Sequence, residues 1–412
     1  MRHIKEFDAL RGMMALWVLL GHWASTVPLS NFVFQRRFFN EYAVEVFIIL
    51  SGFAIASLIL GKRESYKNYI TRRFFRIFPV YLFYLAISMA LASWSLDLWQ
   101  SAPEGSMKEA RIEIAQDSLD YFGFHAFFHL LGLHSLVSPA LLPSSDFAFL
   151  GQAWSISLEW QFYLIAPFIV AVFTSPVDRM KLFAGVVATL IVAALNPVMG
   201  FGFIGKFAAP FAVGIATAFF IKARTGESLA AKVPVGSTWA VLTGLCVLQN
   251  SLALVPYCLW FTATALAISA HEKTSKMALW LSTLALLPPL QWLGRVSYSV
   301  YLSHMLVLMG ALWVLLPMAL ATWMFSLALL GMTLLGTAAV SALSYALIEK
   351  PFQDLGKRLT RSAAPALVSN YGVLDPVVES KTRSQILVSA PEGAVMVFDQ
   401  GTEHPEPQKL AR

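Results

Sequence analysis

The sequence predicts an all-α polytopic membrane bundle of about ten transmembrane helices, with both termini in the cytoplasm. Three observations carry that expectation. Hydrophobic residues make up 57% of the 412 and charged residues only 13%, with a mean hydropathy of +0.64; a soluble domain carries about 25% charged residues. The apolar residues gather into runs of roughly 16 to 25, the length that crosses a hydrocarbon core, separated by charged or Gly/Pro breaks. The breaks that fall on one side are rich in Lys and Arg. The six excess positive charges suit anionic lipid headgroups, and no basic surface domain suited to nucleic acid is evident. Cys246 and Cys258 lie in apolar runs without His or carboxylate at ligand spacing, so both read as core residues.

The first run, 8–27, follows a short basic stretch, has no small-residue cleavage pattern and reads as a retained helix. The others are 41–60, 74–95, 148–173, 181–199, 203–221, 237–252, 255–271, 292–316 and 321–348, with 277–290 as an extra interfacial or re-entrant piece. Orientation comes from Lys62, Arg63, Lys67, Arg72, Arg73 and Arg76, which place the loop 61–73 in the cytoplasm. By alternation the remaining inside loops hold Arg179 and Lys181, Lys222, Arg224 and Lys232, Lys273 and Lys276, and Lys350, Lys357 and Arg358. Arg36, Arg37, Lys108 and Arg111 run against the rule. The long outside loop, about 96–147, carries His125 and His129 at i,i+4, but no carboxylate completes a metal motif, and no metal is expected. Phe122, Phe124, Phe127 and Phe128 make it a membrane-surface segment with histidines at the headgroup boundary. Residues 1–355 form the membrane domain; 356–412, with Pro, Ser and Glu in a polar background, form a cytoplasmic tail expected to be disordered.

Polar groups at membrane depth are expensive and point to function. Arg11 and His22 are eleven residues apart, about three turns, which puts them on one face of the first helix roughly 16 Å apart. Glu45 starts the next helix at a similar depth to His22; it either orients the imidazole as a general base or is an interfacial residue favoured by the helix dipole. Glu159 lies mid-membrane with Ser155 and Tyr163 at i,i+4, as a reacting group or as a hydrogen-bonding hub. Ser297, Tyr301 and His304 share a face of the ninth helix, for substrate or for packing. Arg73 and Arg76 are one turn apart, and with Arg72 they suit the phosphates of a cofactor or serve as a lipid-facing anchor.

The strings FDALRG with His22 eleven residues after Arg11, EVFIILSGFAI, RRFFRIFPVY, WSISLEWQFYLIAPF, GRVSYSVYLSH and IEKPF, in that order from Phe7 to Phe352, together resemble acyltransferase family 3. That resemblance implies a ten-helix fold in the bacterial inner membrane, acetyl-CoA or another acyl-CoA as cytoplasmic donor, and an extracytoplasmic or lipid-linked glycan as acceptor, with polysaccharide-assembly machinery as a partner. It implies that Arg11, His22, Glu45 and Glu159 are catalytic and that Arg73 and Arg76 bind the donor, with the adjacent Arg72 expected to join them. His304, Tyr301 and Ser297, with Trp154 at the head of the fourth-helix string, are the expected substrate-binding residues. Phe47-Ile48 and Glu159-Trp160 depart from the family's usual Phe pair and acid pair. A glycan or lipid transporter using the same buried charges is the alternative reading.

Overall fold

The computed structural model describes residues 4–28, 40–61, 64–174, 179–224 and 254–361, with 386–389 and 395–398 in the tail. It divides into the units Met1–Arg361 and Ser362–Arg412. In the first, the helices are α1 (Lys5–Ala24), α2 (Asn40–Gly61), α3 (Tyr66–Ala90), α4 (Ala92–Ser101), α5 (Lys108–Asp120), α6 (Phe122–Leu130) and α7 (Trp154–Thr174). They continue as α8 (Arg179–Leu195), α9 (Ala208–Arg224), α10 (Val255–His271), α11 (Lys276–Ala285), α12 (Pro288–Leu315), α13 (Thr322–Ser344) and α14 (Lys350–Leu359). A π-helical turn, Tyr345–Glu349, joins the last two.

Among the described residues, six helical stretches are long and apolar enough to cross a membrane: Asn40–Gly61, Tyr66–Ala90, Gly151–Thr174, Ile204–Ala223, Pro288–Met318 and Thr322–Leu359. The protein is a multi-pass membrane protein with an all-α membrane unit. α1 has 20 residues, but Asp8, Arg11 and His22 dilute its apolar run. The expected spans 181–199 and 255–271 are helices of 17 residues each, and 237–252 lies outside the described residues. Ser65 and Ser275 cap α3 and α11 by accepting from the Asn68 and Ala278 amides at 3.3 Å. Large side chains such as Phe183, Leu335 and Leu347 point outward from α8, α13 and the π turn, as suits helices bathed in hydrocarbon.

Two glycine contacts set how closely the central helices approach. A Cβ on Gly12 of α1 would sit 2.8 Å from the Gly294 amide nitrogen of α12, and one on Gly294 would run into the Asp8 carbonyl. Likewise, a Cβ on Gly214 of α9 would strike the Ile49 carbonyl of α2. Small residues that let backbones meet are the ordinary device for membrane helix association. Gly294→Val and Gly214→Val are expected to lower thermal stability in detergent by about 1–3 kcal/mol each, read from melting curves beside Gly310→Val. A Cβ on Gly310 would meet nothing within 4 Å.

The segment 96–147 is not an open loop. α4, α5 and α6, with the single turns His134–Leu136 and Gly151–Ala153, build a helical cap at the end of the bundle where α1 finishes. Its histidines do not line the surface: His125, His129 and His134 are fully buried, while Phe124 and Phe127 of α6 face outward. The rings of His129 and His134 stack at 3.9 Å. Nδ1 of His129 lies 2.9 Å from the His125 carbonyl and Nε2 of His134 lies 3.1 Å from that of Ala153. Burial lowers the pKa of all three, that of His134 to about 3. The unfolded chain therefore takes up protons first, so the stabilising contribution is complete above about pH 6.5 and is lost as pH falls towards 3. Across that window His134 contributes a slope of about 1.4 kcal/mol per pH unit. Melting temperatures between pH 7 and 4 should fall more steeply for the wild type than for His134→Gln; equal slopes would remove the cause assigned here.

In the tail unit, Ile386–Ser389 pairs antiparallel with Val395–Phe398, Ile386 opposite Phe398. Each strand is almost wholly apolar, and Ala390-Pro391-Glu392-Gly393-Ala394 lies between them in sequence.

Candidate active site

A cavity of about 1040 Å³ runs through the first unit. It begins among the first residues of α1, Gly61 at the end of α2 and His271 at the end of α10, and it reaches Val44, Ser155 and Tyr301. Its walls are largely apolar. Its polar groups include Arg11 of α1, Ser51 and Ser57 of α2, Arg73 and Arg76 of α3, Glu159 and Tyr163 of α7, and Ser297 and Tyr301 of α12.

The charges are arranged as a partly neutralised cluster. Glu159 Oε1 accepts from Tyr163 and from Ser51 Oγ at 3.1 Å, so the i,i+4 expectation for Tyr163 is realised within α7. Arg73 lies 5.7 Å from the Tyr163 ring centre, and its Nε is buried without a partner. Arg11 is 3.9 Å from Asp8 and within the fields of Arg76 and Glu159. The whole lining balances Lys5, Arg11, Arg73 and Arg76 against Glu6, Asp8, Glu159 and Glu272, but three of the cations are guanidinium groups, whose forks suit phosphate oxygens. At the far end, Tyr301 donates to the Gln152 carbonyl at 2.9 Å and lies 2.7 Å from Ser155 Oγ. Ser297 turns back on its own helix, donating to the Gly294 carbonyl.

One turn beyond Tyr301, His304 meets His22. The two ring centres are 5.1 Å apart, and the His304 ring is 6.0 Å from that of Tyr301. His304 Nδ1 lies 3.2 Å from the Val300 carbonyl. A carbonyl only accepts, so we assign the proton to Nδ1; Nε2 is buried and carries no hydrogen bond. A neutral imidazole held by a backbone carbonyl has its other nitrogen free to accept a hydrogen bond.

Three expected residues stand apart from this arrangement. Glu45 makes no hydrogen bond or ion pair with His22 among the described residues; the groups around it are Glu41, Tyr42 and Tyr257. Arg72 is turned away from the cavity, paired with Glu64 at 2.7 Å and donating to Thr360 Oγ1 at 2.6 Å. Its position one residue before Arg73 rotates it about 100° around the helix. Trp154 is packed between Phe201 and Phe207 and does not line the cavity.

Two charged residues with no role assigned from sequence are part of the arrangement. Glu349, on the π turn, is buried; it accepts from Ser299 Oγ at 2.6 Å and Gln353 Nε2 at 3.1 Å, and its charge reaches Arg76 and Arg11. π turns are frequent at functional sites. Its place in IEKPF was the available signal. Arg111, whose charge runs against the positive-inside rule, is buried against the end of α1. Nothing local in the sequence pairs it with residues some 85 positions earlier.

The acyltransferase-domain family model matches residues 4–342. The chain belongs to acyltransferase family 3. The arginine-lined cavity and the histidine pair both lie within the matched stretch, so this acyltransferase carries them in its family domain. It is 24% identical over 331 residues to the peptidoglycan O-acetyltransferase OatA of Listeria monocytogenes. That alignment covers 74% of this acyltransferase and 49% of the relative, so the chain spans about half the length of the curated relative it matches. No solved structure matches.

Proposed function

We propose that the protein is a membrane O-acetyltransferase that moves an acetyl group from cytoplasmic acetyl-CoA to a hydroxyl of an extracytoplasmic or lipid-linked glycan, in a bacterial inner membrane. The observation that carries this reading is the alignment of an arginine-bearing cavity with an imidazole pair one helical turn past its Tyr301 end. The relative named for peptidoglycan O-acetylation supports a glycan hydroxyl as acceptor. Arg73, Arg76 and Arg11 hold the donor's phosphates, and the apolar walls take its pantetheine arm. Arg72 is left out of that site because its guanidinium is already engaged.

The thioester then lies near Tyr301 and the histidines. His22 removes the proton from the sugar hydroxyl as its oxygen attacks the thioester carbonyl. The tetrahedral adduct expels the CoA thiolate, which takes the proton back from the imidazolium. His304 takes the part first expected of Glu45, an acceptor nitrogen beside the His22 ring. The test uses purified protein in lipid, radiolabelled acetyl-CoA and a panel of glycan acceptors. Label is expected on a glycan hydroxyl, with CoA released in equal amount. Substrate movement across the bilayer without CoA release would instead establish a transporter.

A further inference from the structure

Arg111 is a cation in an unusual place. Nη1 donates to Thr26 Oγ1 at 2.7 Å, and Nη2 donates to Ser25 Oγ at 2.7 Å and to the His22 carbonyl at 3.3 Å. Its guanidinium carbon lies 4.5 Å from the Trp99 ring centre. No carboxylate pairs with it among the described residues. Burial lowers its pKa to about 10, which still leaves it charged at neutral pH. A buried charge without a counter-ion persists only where other groups replace its hydration. Here they are two hydroxyls, an indole face and the carbonyl end of α1, where the helix dipole is negative.

Those contacts converge on one residue. The His22 carbonyl also accepts from Ser25 Oγ at 2.9 Å and Thr26 Oγ1 at 2.7 Å, so the two hydroxyls that Arg111 grips are the ones that grip His22. The guanidinium also lies within electrostatic range of both imidazoles. The site is built by α5 and α4 of the cap, not by the bundle that carries the histidines. Beside it is a small void of about 90 Å³, lined by Arg111, Trp99, Gln152 and Met305.

We propose that Arg111 is a positioning residue for the transfer reaction: it fixes the end of α1 through Ser25, Thr26 and the His22 carbonyl, and thereby holds the His22 ring in register with His304. The proposal rests on the reading of His22 as the reacting base. It makes the cap part of the catalytic apparatus, since withdrawing α5 would release the histidine.

The test is kinetic. Arg111→Ala is expected to lower kcat by about 10- to 100-fold, the scale of a small misplacement of a reacting group, with KM for acetyl-CoA within twofold of wild type. The Ala truncation enlarges the neighbouring void, so millimolar guanidinium chloride should restore a substantial part of kcat to Arg111→Ala and none to His22→Ala. Arg111→Lys keeps the charge with fewer donors and should fall between. Unchanged kcat in Arg111→Ala would overturn the proposal, as would a loss that guanidinium does not restore in protein that still binds acetyl-CoA. Should Arg111→Ala fail to fold, Arg111→Lys with wild-type kcat would overturn it equally. Full activity of His22→Ala would remove the underlying reading instead.

Discussion

His22→Ala and His304→Ala are each expected to lower acetyl transfer by about 10²- to 10⁴-fold, the usual contribution of a positioned acid–base group. Because the two rings adjoin and form one unit, the double variant should be little worse than either single one. Affinity for acetyl-CoA, measured by equilibrium binding, should change less than threefold, since neither imidazole lines the cavity. Additive losses would mean that the histidines act independently, and wild-type rates in either variant would return that residue to a packing role. Glu45→Gln is expected to retain most of the activity, in keeping with the absence of a hydrogen bond or ion pair to His22 among the described residues.

Arg76→Ala should raise the KM for acetyl-CoA by about 10- to 100-fold, as the loss of a charge-assisted phosphate contact of about 1.5–3 kcal/mol implies. Arg73→Ala should behave alike, its Nε having no partner in the protein. Arg72→Ala should leave KM unchanged and lower the melting temperature, because it breaks the contacts to Glu64 and Thr360. A common KM effect from all three substitutions would restore Arg72 to the donor site and refute its separation. Dephospho-CoA derivatives offer an independent reading: their disadvantage should disappear in the arginine variant that had contacted the missing phosphate.

Periodicity along single helices was the most legible part of the design. Arg11 with Asp8, Glu159 with Tyr163, and Arg73 with Arg76 are relations within one turn, and helical geometry places them without knowledge of the tertiary fold. The partner of His22 was a different problem. Chain neighbourhood favours Glu45, 23 residues away, whereas the ring beside it is His304, brought there by the packing of α1 on α12. A trace of that packing is present in the chain: His22 follows Gly12 by ten residues, and His304 follows Gly294 by ten. The cap was the least legible part. Its helix α6 is inverted relative to a soluble amphipathic helix, His inward and Phe outward, so a rule that treats histidine as a surface residue misplaces it. Arg111 misleads the charge count for a related reason: it serves a hydrogen-bonding site, and the positive-inside rule does not govern such an arginine.

The Gly12–Gly294 contact has a mechanical consequence. With backbones touching there and imidazoles touching about 15 Å further along, α1 and α12 make a two-rail beam that is pinned at both ends. Such a beam resists bending between Arg11 and His22, so on the proposed mechanism the donor end and the proton-transfer end would move together. On the proposed mechanism, donor exchange would proceed by side chains and flanking helices parting around a fixed beam, with the histidine pair left undisturbed at each turnover.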